Sequence, residues 1–119
     1  MLNETKSHID QLASPTGRPV AVLRFEGDMA STSKDAVLGA YQALPKESAN
    51  LVLLDFTKVD YINSSGIALV IQLLIEATNA GQKVCIFGLS AHFSKVFTMV
   101  GIQNYAGLFA TESEALAAL

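Results

Sequence analysis

Cysteine is nearly absent from this chain: there is one, Cys85, in 119 residues. A single cysteine forms no internal disulfide, which excludes a disulfide scaffold and points to a reducing compartment, here the cytoplasm. Long apolar runs are also missing. The longest, residues 66–75, is interrupted by Gln72 and falls far short of the roughly 20 residues that span a bilayer. Met1-Leu2-Asn3-Glu4-Thr5-Lys6 has no basic segment leading into an apolar run, so neither a leader peptide nor membrane insertion is expected.

Concentrated positive charge is lacking. The eight Lys and Arg are scattered, the eleven Asp and Glu outnumber them, and the net charge is −3. Nucleic-acid binding needs a basic patch, so no nucleic-acid partner is expected. The chain has two histidines, His8 and His92, far apart and without a supporting Cys or acidic spacing. No metal or cofactor is expected. The nucleophile-elbow pattern Gly-x-Ser-x-Gly is absent, and so is the phosphate-loop pattern ending in Gly-Lys-Ser/Thr. These absences argue against an enzyme. Phe93 and Phe97 are spaced for a core face rather than for base stacking, and Cys85 sits in a buried strand pattern as a small core residue.

What is present describes a folded domain. Half the residues are apolar and 16% are charged, which excludes a disordered chain. A chain of this length buries roughly two thirds of its unfolded surface. No repeat, low-complexity tract or long linker divides it, so one domain over residues 1–119 is expected.

The punctuation is regular. Residues 7–13 read as a strand, and Ser14-Pro15-Thr16-Gly17 as a turn leading to a second strand, Val20-Ala21-Val22-Leu23-Arg24-Phe25. Val20, Val22 and Arg24 share one face of it; Ala21, Leu23 and Phe25 share the other. The two strands should form a hairpin, with Gly27-Asp28 breaking the second. Ser31-Thr32-Ser33 offers capping hydroxyls for a helix carrying Val37, Leu38, Tyr41 and Leu44, which Pro45 ends. Leu51-Val52-Leu53-Leu54 is a strand buried on both faces. Residues 55–63 read as a loop, followed by a helix from Ser64 to about Asn79 with Gly81 at its C-cap. Val84-Cys85-Ile86-Phe87 is another buried strand. Ser90 caps a third helix carrying Phe93, Val96, Phe97 and Val100, and Gly101 stops it. Residues 105–109 read as a last strand, and 112–119 as a terminal helix with Leu116 and Leu119 inward.

The order β-β-α-β-α-β-α-β-α implies an α/β fold with a small, mostly parallel sheet. In such sheets ligands and partners meet the carboxyl ends of the strands, where residues 55–65 should lie. There the sequence reads Asp55-Phe56-Thr57-Lys58-Val59-Asp60-Tyr61-Ile62-Asn63-Ser64-Ser65-Gly66. Asn63 or Ser64 can accept from the first free amides of the helix, and those amides with the helix dipole favour negative charge. A hydroxyl placed there serves either as a plain cap or as a phosphoryl acceptor. Phosphorylation would add roughly 1.5–2 negative charges without melting the helix, and would act on binding more than on folding. From Ile67 to Ala77 only Gln72 and Glu76 are polar. With Ile67, Val70, Ile71 and Leu74 on the core face, Leu69 and Leu73 need either neighbouring helices or a docked partner to cover them.

The segment Val52-Leu53-Leu54-Asp55 through Val59-Asp60-Tyr61-Ile62-Asn63-Ser64-Ser65-Gly66-Ile67 resembles the signature of STAS domains, most of all the stand-alone anti-sigma factor antagonists. Gly27-Asp28-Met29, Gly81-Gln82-Lys83-Val84 and Phe97-Thr98-Met99-Val100-Gly101-Ile102 are similar to further family turns, so the likeness covers most of the chain. It implies a STAS fold, a small mixed sheet with about four helices mainly on one face. It also implies a partner-switching protein. In the family, the serine after an aspartate in Asp-Ser-[Ser/Thr]-Gly is phosphorylated by a serine kinase that is itself the anti-sigma factor. The unphosphorylated form binds that kinase, and a serine phosphatase restores it. Carried onto this chain, the acceptor is Ser64, with Ser65 the second choice. The partner surface is expected to draw on Asp28, Ser31, Asp60, Asn63, Ser64, Ser65, Gly66 and Leu69. The chain departs from the pattern at Asn63, where the motif has aspartate, and at Ala30, where the family turn often has aspartate. Some STAS domains act without phosphorylation, as scaffolds or as accessory subunits of membrane transport complexes, and this is the alternative reading.

Overall fold

A computed structural model describes residues 3–45 and 50–119. Met1 and Leu2, part of the stretch read above for a leader, lie outside the described residues. Among the described residues, five strands form one sheet in the order β1-β2-β3-β4-β5. Strand β1 (Lys6–Ala13) and strand β2 (Pro19–Met29) form the expected antiparallel hairpin, Ala13 opposite Pro19. The turn between them closes where the Gly17 amide donates to the Ser14 carbonyl, with Gly17 at a φ of +83°. Strands β3 (Leu51–Ile62), β4 (Lys83–Phe87) and β5 (Gly107–Phe109) add in parallel.

Two strands run further than their sequence pattern suggests. Gly27-Asp28 does not break β2, which continues to Met29 through register shifts on either side of residues 26 and 27. A bulged strand absorbs an irregularity that a flat one cannot. Gly27 has a φ of +89°, and a Cβ there would meet the Glu4 carbonyl oxygen, because the N-terminal segment crosses at that point. Residues 55–62 are likewise strand, not loop. Beyond Asp55, β3 has left β4 and pairs with β2 alone. Thr57, Lys58 and Asp60 in this stretch are all exposed, and their polarity imitates a loop.

Helices cover the sheet unequally. One face carries the larger core: Leu23, Phe25, Leu54, Phe56, Ile86 and Phe97 are buried with their neighbours. Phe25 meets Phe56 tilted at a centroid distance of 5.4 Å, and Phe56 meets Phe97 edge-on at 5.7 Å. Burying each such side chain contributes about 1.5–3 kcal/mol. The second face, with Val20, Val22, Leu51, Leu53, Cys85 and Phe87, is covered by helix α4 (Glu112–Ala117) through Ala115, Leu116 and Leu119. The alternation of β2 places its two sets of side chains on these two faces as expected.

The first helical segment is irregular. It has a 3-10 turn, Ser31–Ser33, a π-helical stretch, Asp35–Gly39, and one α-turn, α1 (Ala40–Gln42). Its cap is Ala30 rather than a hydroxyl residue; Ser33 Oγ accepts from the Ala30 amide at 2.9 Å. Hydroxyl side chains compete for backbone groups and Gly39 weakens the helix, so no regular α-helix forms before Ala40. Helix α2 (Ser64–Asn79) ends in Ala80 and Gly81, with Gly81 at a φ of +74°. The Gln82 amide donates to the Ala77 carbonyl and the Gly81 amide to that of Thr78, which is a Schellman motif. Helix α3 (Ala91–Met99) starts where Ser90 Oγ accepts from the Phe93 amide at 3.2 Å. Val100 follows its end as the C-cap and is exposed, and Tyr105 closes a 3-10 turn instead of joining β5.

Candidate functional site

Strands β2 and β3 run parallel and end side by side, Met29 opposite Ile62. The chain leaves β3 at Asn63, whose backbone is still extended (φ −91°, ψ −179°). The Asn63 amide donates to the Met29 carbonyl at 3.0 Å. Its side chain caps α2: Asn63 Oδ1 accepts from the Gly66 amide at 3.0 Å, while its carbonyl accepts from the Ile67 amide at 2.9 Å. These bonds use two of the helix's early donors. The Ser64 and Ser65 amides stay open, as the first amides of a helix do. Both serine side chains are exposed, and neither hydroxyl is hydrogen-bonded among the described residues. The capping role therefore falls to Asn63 rather than to Ser64.

Gly66 is the buried member of the turn. A Cβ at this position would lie 2.6 Å from the Met29 carbonyl oxygen and 2.9 Å from the Met29 Cβ. The absence of a side chain lets the helix start press onto the end of β2. That contact sets the rotation of α2. Gly66, Val70, Leu73, Leu74 and Ala77 form its buried stripe. Leu73 is therefore core, contrary to the assignment of the core face to Ile67 and Ile71, which are half-buried. Leu69 is half-buried and packs against the core.

The other expected site residues gather at the same end of the sheet in different ways. Ser31 is exposed just beyond Met29 and Ala30, and Asp60 is exposed three residues before Asn63. Asp28 is buried, and its carboxylate is occupied: Oδ2 accepts from the Asn3 amide at 2.8 Å. Its carbonyl accepts from the Thr5 hydroxyl at 2.5 Å. Asp28 thus ties the N-terminal segment to the end of β2.

Aromatic side chains flank the turn, a feature that the sequence reading passed over. Tyr61 is exposed and meets Phe93 edge-on at 6.2 Å, and Phe93 meets His92 at 4.9 Å. The signal in the sequence is Tyr61, an aromatic residue within residues 55–63, which read as a loop.

The strongest electrostatic cluster lies on the α4 side of the sheet. Arg24 donates to Asp10, Asp55 and Glu112 at 2.6, 2.8 and 2.8 Å. These hydrogen bonds, that of Asp10 foremost, raise the Arg24 pKa against the effect of burial. Burial pushes the Asp55 carboxyl up, but bonds from the Thr57 hydroxyl and amide and from Arg24 outweigh it and hold Asp55 below its ordinary value. A cleft lined by Tyr41, Leu44, Glu76 and Gln82 lies at the far end of α2 from Ser64, and the Tyr41 hydroxyl donates to Gln82 Oε1 there. Among the described residues no helix is long and apolar enough to cross a membrane.

Comparison with known proteins places this geometry. The sequence matches no curated protein. An anti-sigma factor antagonist from Mycobacterium paratuberculosis superposes with a TM-score of 0.79 at 15% identity, covering 97% of this chain and 93% of that one. The anti-sigma factor antagonist SpoIIAA in its unphosphorylated form superposes with a TM-score of 0.67 at 18% identity, over 94% of this chain and 96% of its own. The phosphorylated form of Bacillus SpoIIAA gives 0.63 at 19% identity, over 94% and 97%. A sulfate transporter family protein from Wolinella succinogenes gives 0.73 at 18% identity, over 83% of each chain. At these identities the likeness is one of fold: a five-stranded, mostly parallel sheet with four helices. The sequence model of the STAS domain family matches residues 11–115, and the chain belongs to that family.

Proposed function

We propose that this chain is an anti-sigma factor antagonist that binds an anti-sigma factor with serine kinase activity and is released when that kinase phosphorylates Ser64. The reading rests on one observation: an exposed, unbonded hydroxyl at the first residue of α2, beside open amides, in a turn held by Asn63 and Gly66. A phosphoryl group there gains from the amides and the helix dipole, so the helix survives and the new charge acts on the partner. Ser65, also exposed, is the second acceptor. Ser64, Ser65, Asn63, Asp60, Ser31 and Leu69 would face the partner, while Gly66 and Asp28 shape the surface from within. A serine phosphatase would return the chain to its binding form. The protein would act in the cytoplasm as a binding switch and not as an enzyme.

The test is incubation with the cognate kinase and ATP, followed by mapping of phosphate by mass spectrometry. Phosphate on Ser64 is expected; a chain left unmodified at both Ser64 and Ser65 would sink the switch. Ser64→Asp should bind the kinase at least about tenfold more weakly, as like charge at an interface costs more than 1 kcal/mol. Equal binding by titration calorimetry would remove charge as the control.

Asn63 favours a second reading, a STAS scaffold or transport accessory that works without phosphorylation. The fold likeness to a sulfate transporter family protein supports it. Affinity capture from the native host separates the two: transporter subunits without a serine kinase would favour the second.

A further inference from the structure

The sheet has two edges, β1 and β5. Strand β5 has three residues, too few to hold a partner strand; β1 has eight. One side of β1 pairs with β2 along its whole length, from Lys6 to Ala13, and among the described residues the other side pairs with no strand, because β1 ends the sheet. Ile9, at its centre, is 42% exposed and shares a face with Leu23. An open edge of this length is a template for another strand unless its side chains oppose the match.

The side chains of β1 match β1 itself. Antiparallel pairing of two copies about Ile9 sets Ile9 opposite Ile9, His8 opposite Asp10 on both sides of the axis, Ser7 opposite Gln11, and Lys6 opposite Leu12. The apolar residue meets its twin once, on the axis, and each unlike pair off the axis occurs twice by the symmetry. Moving the centre by one residue loses this. A centre at Asp10 sets carboxylate against carboxylate, and a centre at His8 sets imidazole against imidazole. Asp10 Oδ2 accepts from Arg24 of its own chain at 2.6 Å and lies 3.8 Å from its own His8 Nε2, so among the described residues Oδ1 remains for the His8 of a second copy.

We propose that β1 is a self-recognition edge through which two copies of this chain join antiparallel about Ile9 into one continuous sheet. The two-fold axis then runs perpendicular to the sheet. Because β3 is parallel to β2 in each copy, the two Ser64 turns point to opposite ends of the dimer and both stay open. This inference does not depend on whether Ser64 is phosphorylated.

Sedimentation velocity of the full chain from micromolar to millimolar concentration tests it. A concentration-dependent dimer is expected; a monomer throughout, or open-ended growth beyond two chains, overturns the proposal. His8→Asp sets two like-charged pairs across the axis and should weaken the dimer about tenfold. His8→Lys preserves the match, and a loss equal to that of His8→Asp overturns the charge pairing. His8 is exposed, so folding of both variants should be unaffected, as circular dichroism would report. Register is read by cross-linking in a Cys85→Ala background. Opposed strand residues lie within disulfide reach, so Ile9→Cys should form a covalent dimer on mild oxidation. Ser7→Cys alone should not, while Ser7→Cys with Gln11→Cys should. Linking of Ser7→Cys alone as readily as Ile9→Cys overturns the stated register.

Discussion

A Cβ at position 66 would approach the Met29 carbonyl carbon to 2.8 Å, closer than real side chains come. The atom in the way is backbone, so α2 or the end of β2 must move. Gly66→Ala should therefore cost about 2–3 kcal/mol, an overpacking penalty, read as a lower urea midpoint with an unchanged slope. Asn63 acts differently, through one side-chain acceptor. Asn63→Ala should cost about 1 kcal/mol, the usual value of a lost cap. Asn63→Asp keeps the acceptor and adds charge where the dipole favours it, and should gain about 0.5 kcal/mol in the same assay. Of these two roles only the cap was legible in the sequence, which left Asn63 and Ser64 both open as its acceptor and the choice to the structure. The need for glycine came from Met29, 37 positions away in the numbering of the chain.

At the scale of elements, Arg24 joins β1, β2, β3 and α4 through three carboxylates. Asp55 is the most buried of the three acids, and its folded pKa lies below its ordinary value of 3.8. A group so shifted stabilises the fold above the unfolded pKa and loses that contribution as pH falls through the lower, folded value. Asp55→Asn should flatten the loss of stability below about pH 4, and should lower stability at neutral pH by about 1–2 kcal/mol. Urea titrations at several pH values would check both signs. The strand alternation of Arg24 with Val20 and Val22 was readable, but its partners were not. Asp10, Asp55 and Glu112 come from three other elements, and no local period links them. The same limit explains β3. Its first half is apolar and legible; its second half is polar because it has one neighbouring strand instead of two.

Across the whole molecule, the second sheet face is closed by a helix of six residues. Cys85 lies beneath it, 2% exposed, and burial pushes its thiol pKa up. Alkylation of Cys85 should be slow in the native state at pH 8 and should rise with denaturant as the chain opens. Rapid alkylation without denaturant would mean that α4 leaves the sheet readily. Together with the Ser64 turn and the β1 edge, this leaves three surfaces with separate behaviour on one small sheet: a turn, an edge and a covered face.

The sequence by itself determined the element order, the hairpin, the caps at Ser90 and Gly81, and the place of Ser64 at a helix start. Those follow from period, turn chemistry and hydroxyl placement, all of which act within a few residues. Only the tertiary structure decided how far β2 and β3 extend, which stripe of α2 is buried, that Asp28 binds Asn3, and that Gly66 must be glycine. Each of these depends on contacts between segments far apart in the chain, where backbone approaches backbone and local sequence carries no signal.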